Sequence, residues 1–476
     1  MHRTQIIMIK TSHIYFYSIA IAIIMFTVAG VSGCANMIPP GGGPRDSLPP
    51  VLVDASPRDS MTRFTGNRIT LNFDEYVEIQ NAYENVIVSP NPVSPPIINS
   101  RFRTVTIRIK DTLEPNTTYS INFGNALRDI NEGNISPNFT YLFSTGSRLD
   151  TNSISGKVIL AQTGKIDTTL IVVLHRNLDD SAVIKERPRY VAKLDGKGNF
   201  HFRNIAAGTF AIYAIPNDYS KRYDDTTKPF AFADTAINSS NNSPVTLYAY
   251  QLEKIDTGIT RPKPAPTTGK AKEDKQLRFQ TNFEEGKQSL LNNFELTFNK
   301  KITFFDSSKI ILLGPDSNVI KNYSIVRDTG KTRFTFFYKW PENTSYRLIL
   351  RKDAFADSAG TTLAKNDTIR FSSKRAGEYG TVRLRFKNLD LSKNPVLQIV
   401  KTDKVVDSLA LTQSEWSRKL YDPGEYEIRI LYDNNKNGRW DPGKFFGKHE
   451  QPERVIPVNT KLSIKANSDN LTEITL

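Results

Sequence analysis

The sequence predicts an all-β protein built from β-sandwiches in series, and three observations carry that expectation. First, short runs alternate apolar and polar residues with a period of two. Ile69-Thr70-Leu71-Asn72-Phe73 and Thr104-Val105-Thr106-Ile107-Arg108-Ile109-Lys110 do so, and Val382, Leu384 and Phe386 alternate with Arg383, Arg385 and Lys387. This is the pattern of half-buried strands. Second, turn signals fall between the runs, at Pro115-Asn116, Asp195-Gly196, Asp422-Pro423-Gly424 and Asn437-Gly438. Third, no long helical periodicity follows the first 34 residues. Many short strands with regular turn punctuation build sandwiches.

The amino terminus has a different character. Arg3 and Lys10 precede an apolar run from Ile19 to Val31, which ends in Val31-Ser32-Gly33-Cys34. A positive start, a short apolar stretch and small residues before a cut describe a secretory signal peptide over residues 1–33. A transmembrane anchor is the competing reading, but a full span needs about 20 apolar residues with suitable flanks. Val31 to Cys34 resembles the lipobox of bacterial lipoproteins. The resemblance implies lipidation of Cys34: a diacylglycerol on the thiol and an acyl chain on the new amino terminus. Two or more chains hold a protein stably on a bilayer, whereas one holds it only reversibly. Ala35 stands where many inner-membrane lipoproteins carry aspartate, which implies outer-membrane routing. Ala35-Asn36-Met37-Ile38 has no acidic residues, so both the periplasmic and the cell-surface side stay open.

Composition narrows the functional classes. Hydrophobic residues make up 38% of the 476 and aromatics 10%, enough to build packed cores rather than a disordered tail. Cys34 is the only cysteine. With its thiol acylated the mature chain has no disulfide and no thiolate metal site. Removal of Arg3 and Lys10, with no acid in the first 33 residues, takes the net charge from +14 to +12. A cationic chain attracts anionic lipid, polysaccharide or nucleic acid. No dense basic block stands out and the address is extracytoplasmic, so nucleic acid is not expected as a partner.

Prolines and glycines mark the joints. Residues 34–50 contain Pro39-Pro40-Gly41-Gly42-Gly43-Pro44 and read as a lipidated cysteine on a tether. Residues 253–276, with Pro262, Pro264 and Pro266 among lysines and threonines, read as a semi-extended linker. Between the joints the chain repeats. Ile69 to Val77 is echoed by Phe294 to Ile302, and Glu114-Pro115-Asn116-Thr117-Thr118-Tyr119 by Glu342-Asn343-Thr344-Ser345-Tyr346. Asp129 and Gly133 are echoed by Asp357 and Gly360. The segments that follow also correspond, Gly156-Lys157-Val158 through Tyr213 with Thr381-Val382-Arg383 through Arg429. The expected order is A-B-linker-A-B, with A units at 51–147 and 277–375 and B units at 152–252 and 379–476, arranged as a rod.

The A units resemble the bacterial Ig-like family of surface-layer proteins, through Pro49-Pro50-Val51, Ala55-Ser56-Pro57-Arg58-Asp59, Leu71-Asn72-Phe73-Asp74-Glu75-Tyr76-Val77 and Phe143-Ser144-Thr145. The second copy departs from the pattern, with Asn299-Lys300-Lys301 at the place of Asp74-Glu75-Tyr76. The B units resemble carboxypeptidase-regulatory or transthyretin-like sandwiches, through Gly156-Lys157-Val158, Asp195-Gly196-Lys197-Gly198-Asn199-Phe200 and Gly208-Thr209-Phe210. The last B unit keeps Gly424-Glu425-Tyr426. The whole chain resembles Ig-like-domain outer-membrane lipoproteins of the Bacteroidota, which share the Gly41-to-Asp46 tether. The fold class implied is tandem Ig-like and transthyretin-like sandwiches after a lipoprotein signal peptide. A sandwich supports many unrelated activities.

Residues for chemistry are few. Asp433-Asn434-Asn435-Lys436-Asn437-Gly438-Arg439-Trp440-Asp441 has the alternate-oxygen spacing of a calcium loop. Asp433, Asn435, Asn437, Asp441 and the Arg439 carbonyl are candidate ligands, and Lys444 replaces the bidentate glutamate. The competing reading is a hairpin turn capped by asparagine side chains. Arg383, Arg385 and Lys387 form a basic stripe that could meet an anionic glycan or an acidic partner, or be a solvated face. Asp74, Glu75 and Glu78 read as a domain edge rather than an acid/base pair. His175, His201 and His449 have no local nucleophile signature, and surface or half-buried positions are expected for them. Phe334-Thr335-Phe336-Phe337-Tyr338-Lys339-Trp340 is expected to reach the core. No cofactor is required, with calcium as the one candidate. The expected function is non-enzymatic: a lipid-anchored binding or scaffolding subunit of an outer-membrane protein complex. The alternatives are a glycan-binding or uptake-linked module and, third, a hydrolase.

Overall fold

The computed structural model describes residues 15–25, 45–241, 243–252 and 276–476. Cys34 and residues 253–275 of the linker lie outside them. Residues 15–25 are helical, and among the described residues no helix is long and apolar enough to cross a membrane. Beyond residue 45 the protein is tandem β-sandwiches.

In the first A unit the strands Leu52–Ser56, Arg68–Phe73, Thr104–Arg108 and Ile97–Arg101 form one sheet in that order, and Ile87–Ser89, Thr118–Asn122 and Thr140–Ser144 form the other. Period-two alternation aims Ile69, Leu71, Phe73, Val105 and Ile107 inward, where they meet Ile121, Tyr141 and Phe143 from the facing sheet. The second A unit repeats the topology. Phe279–Thr281, Phe294–Phe298, Arg333–Phe337 and Ser324–Arg327 make one sheet, and Ile310–Leu313, Ser345–Leu350 and Asp367–Ser373 run through the other. Phe334 and Phe336 are buried in its core while Phe337 faces out. The aromatic run therefore packs one face only.

An aspartate-capped turn recurs in both A units, with its glycine four residues after Asp129 and three after Asp357. Asp129 is buried, and its carboxylate accepts the backbone N–H groups of Glu132, Gly133 and Asn134 at 2.6, 2.9 and 2.7 Å. Asp357 does the same for Ala359 and Thr361 at 2.9 and 2.8 Å. Gly133 and Gly360 take φ of +80° and +79°, a left-handed conformation that suits glycine.

The B units also share one topology. In each, the opening strand pairs antiparallel with one neighbour and parallel with the last strand: Asn152–Leu160 with Asn199–Ile205 and Val245–Ala249, and Gly380–Lys387 with Glu415–Tyr421 and Asp469–Thr475. The opposing sheets are built on Leu170–His175 with Thr209–Pro216, and on Pro395–Lys401 with Gly424–Tyr432.

The units do not form a rod. The second B unit docks on the first. The Val455 N–H donates to the Ala161 carbonyl at 2.9 Å, Lys165 pairs with Asp403, and the Arg454 guanidinium lies 4.2 Å from the Tyr248 ring centroid. The first B unit meets the first A unit as well. Arg189 grips Glu114 with two parallel bonds of 3.0 and 2.8 Å, and the Asn91 N–H donates to the Arg189 carbonyl at 2.6 Å. A rod leaves each sandwich in touch only with its sequence neighbours. Here apolar side chains on the long loop of the second B unit find a partner surface two units back, and burial outweighs extension.

Candidate functional site

The long loop between Gly424–Tyr432 and Arg454–Ile464 carries two features. The first is the candidate calcium segment. Asp433 is 2% exposed, and its carboxylate accepts the N–H groups of Asn437 at 3.3 Å and Gly438 at 2.7 Å. Gly438 has φ +76°, which gives the sharp turn. The Asn435 and Asn437 amide nitrogens both donate to Asp441 Oδ2 at 2.6 Å. The loop is thus closed by its own hydrogen bonds, as in the asparagine-capped turn. Among the described residues no group of three or more His, Cys, Asp or Glu side chains is arranged to hold a metal ion.

Sequence spacing missed Glu453, which lies twelve residues beyond Asp441. It is 4% exposed. Its Oε1 accepts the Asn434 N–H at 2.6 Å and its Oε2 the Asp441 N–H at 3.0 Å. Burial, aided by the nearby Asp433 and Asp441 carboxylates, pushes its pKa up against these two hydrogen bonds. Lys444 instead pairs through its backbone with Glu450 and is exposed. Glu453 thus closes the loop from its far end by capping two backbone N–H groups, from a place where no loop motif would register it.

The second feature is Phe445. It is 3% exposed and joins a cluster formed by the first B unit. Its ring centroid lies 4.8 Å from Phe232, 5.3 Å from Phe230 and 5.5 Å from Tyr213. Gln451 Nε2 reaches the Phe232 carbonyl at 3.1 Å and Asp234 at 2.8 Å, and His449 Nε2 lies 2.7 Å from Asp180. Burying one phenylalanine contributes roughly 1.5–3 kcal/mol. The polar contacts fix the register of the dock.

The basic stripe is charge-balanced. Arg383 pairs with Asp469 at 3.0 Å, Arg385 with Glu415 at 2.9 Å and Lys387 with Glu473 at 2.8 Å. These are cross-strand pairs on an exposed sheet face. Asp74 accepts the Val51 N–H at 2.8 Å, and Glu78 pairs with Arg128 at 2.6 Å. Glu75 has its pKa raised by burial and then by Asp129, Asp74, Asp46 and Glu132. Of the histidines, His201 is exposed and His449 is the Asp180 partner. His175 departs from the expected half-buried position. It is 1% exposed, its Nε2 has no hydrogen-bond partner among the described residues, and burial pushes its pKa down to about 4. The strand Leu170–His175 is buried throughout, because its outer face lies under the aromatic cluster rather than in water.

These geometries define a set of β-sandwich modules joined by side-chain docks. Residues 46–145 match the family described as bacterial Ig-like domain, so the first A unit is an Ig-like sandwich. No curated protein matches the chain. Among solved structures, the major pilin subunit BcpA of Bacillus cereus is similar at 10% identity over 69% of this chain and 99% of its own, with a TM-score of 0.17. The S-layer protein rSbsC(31-844) is similar at 12% identity over 89% of this chain and 54% of its own, with a TM-score of 0.16. A biofilm-associated protein BSP domain is similar at 8% identity over 85% and 97%, also at 0.16. Scores this low carry no argument about architecture or activity.

Proposed function

We propose that the chain is a lipid-anchored envelope protein that acts without catalysis, as a binding or scaffolding subunit of an outer-membrane protein complex. The anchor is Cys34 and the tether is residues 35–50. The observation that carries the scaffolding role is the Phe445 dock. A chain whose modules lock across an aromatic cluster presents its outer faces at fixed angles, which suits holding partners in register. The bacterial Ig-like match at residues 46–145 supports an envelope setting. Calcium is proposed as a structural ligand of the 433–441 segment, on the donors Asp433, Asn435, Asn437, the Arg439 carbonyl and Asp441. Carboxylate, amide and carbonyl oxygens suit a hard cation. The test is affinity purification of the full chain from detergent-solubilised membranes, followed by mass spectrometry. Recovery of a stoichiometric outer-membrane protein supports the reading; recovery of the chain alone under mild detergent contradicts it.

A further inference from the structure

A second site lies between the first A and first B units. The outward faces of two sheets look at each other there, across a cleft of about 1180 Å³. One wall is the sheet of Ile87–Ser89, Thr118–Asn122 and Thr140–Ser144, and it presents Ser120, Asn122 and Thr140. The other is the sheet of Asn152–Leu160, Asn199–Ile205 and Val245–Ala249, and it presents Lys157 and Arg203. Alternation accounts for both walls. Phe200 and Phe202 are buried in the sandwich, so His201 and Arg203 between them must point out.

The charge in this cleft is one-sided. Among the described residues neither Lys157 nor Arg203 forms an ion pair. Lys193 at the rim donates to Asn85 Oδ1 at 3.4 Å and feels Glu84 from outside the cleft. The one lining acid, Asp195, is occupied as a turn cap, accepting the N–H groups of Lys197 and Asn199, each at 2.8 Å. The equivalent sheet of the second B unit shows the contrast. There every basic residue of the stripe has a cross-strand carboxylate. In the first B unit the cations are left unpaired where a wall of hydroxyls and amides faces them.

We propose that this cleft binds an anionic polysaccharide chain, with Lys157 and Arg203 taking its acid groups and Ser120, Asn122 and Thr140 its hydroxyls. The proposal is independent of the lipid anchor and of any protein partner. At about 1180 Å³ the cleft lies above the span of about 300–1,000 Å³ usual for small-ligand sites, which leaves room for several linked sugars. Among the described lining residues no Phe, Tyr or Trp ring is exposed, which disfavours stacking of a neutral sugar and leaves charge and hydrogen bonds to do the selecting. A cleft lined by one sign of charge concentrates the field on such a ligand.

The test is binding of the full chain in detergent to polygalacturonate, with dextran and polyglutamate as comparisons. The expected result is saturable binding of polygalacturonate, none of dextran, and weaker binding of polyglutamate. Lys157→Glu with Arg203→Glu should weaken polygalacturonate by about tenfold or more, and more at low salt than at high. Ser120→Trp, which fills the cleft without changing charge, should weaken it too. Arg383→Glu, on the charge-balanced stripe, should leave it unchanged. The idea is overturned by equal binding of polyglutamate, by no binding of polygalacturonate, or by cleft variants that melt like the parent and bind like it.

Discussion

The backbone N–H of Phe445 donates to the Tyr250 hydroxyl at 3.2 Å, across 195 residues of sequence. That bond sits beside a ring buried among Tyr213, Phe230 and Phe232, and it ties the last module to the second. Glycine at 443 permits the approach, because a Cβ there would lie 2.7 Å from the Tyr250 ring. Phe445→Ala should cost about 3 kcal/mol, the lower end for a buried phenylalanine, and should undock the two B units. Small-angle scattering should then report a larger radius of gyration, with each unit still folded. An unchanged radius would show that the polar contacts suffice alone.

The Arg189–Glu114 clamp sets how the first two units meet. The Arg189 side chain is 15% exposed and that of Glu114 is 50% exposed, so solvent screens part of the pair. Glu114→Gln should cost about 1 kcal/mol. The Glu114 pKa is lowered, chiefly by its hydrogen bonds from Arg189. Its contribution is therefore present above the unfolded carboxylate range and is lost as pH falls through the lowered folded value. Thermal melts of parent and variant should converge in acid.

His175 predicts a pH dependence of the opposite chemical type. Burial lowers its pKa from 6.5 to about 4, so between these values the unfolded chain binds the extra proton. Stability should fall as pH drops from 6.5 towards 4, by at most roughly 3 kcal/mol from this group. His175→Phe should flatten that part of the curve, as read by denaturant titrations at stepped pH. An unaltered slope would place the proton elsewhere.

Asp129 and Asp357 serve the same turn in the two A units. Asp129→Ala leaves three backbone N–H groups without their acceptor and should cost about 1–3 kcal/mol. Asp357→Ala should act in the same direction on the second copy. Separate melting of the two modules by hydrogen exchange would distinguish them, and each variant should loosen its own unit only.

If calcium occupies the 433–441 segment, it relieves the repulsion between Asp433 and Asp441. Added calcium should raise the melting temperature, and Asp441→Asn should remove most of that rise while magnesium gives little. A melting temperature indifferent to calcium would leave the loop as a hydrogen-bonded turn.

Much of the fold was legible because strand patterning is local. Ile69, Leu71 and Phe73, like Val382, Leu384 and Phe386, announce their buried face through alternation alone, and the repeat of Asp129 and Gly133 at Asp357 and Gly360 marks a turn. The sites were less legible because they are made by contacts between modules. Phe445 and Phe446 sit in a loop of glycines and charges, and nothing local says that one ring finds a socket in another unit. Glu453 lies outside any loop motif. Lys157 and Arg203 read as ordinary outward residues of a half-exposed sheet, and only the packing of a second sheet opposite turns them into a cleft wall. The stripe at Arg383, Arg385 and Lys387 reads as a free basic patch, because its partners Glu415, Asp469 and Glu473 come from other strands.

The account rests most on the anchor at residue 34. Intact and peptide mass spectrometry of the protein extracted from membranes tests it directly. The account predicts a mature chain that begins at Cys34 and carries a diacylglycerol and a further acyl chain. A chain that keeps residues 1–33, or one that is soluble with an unmodified Cys34, contradicts it.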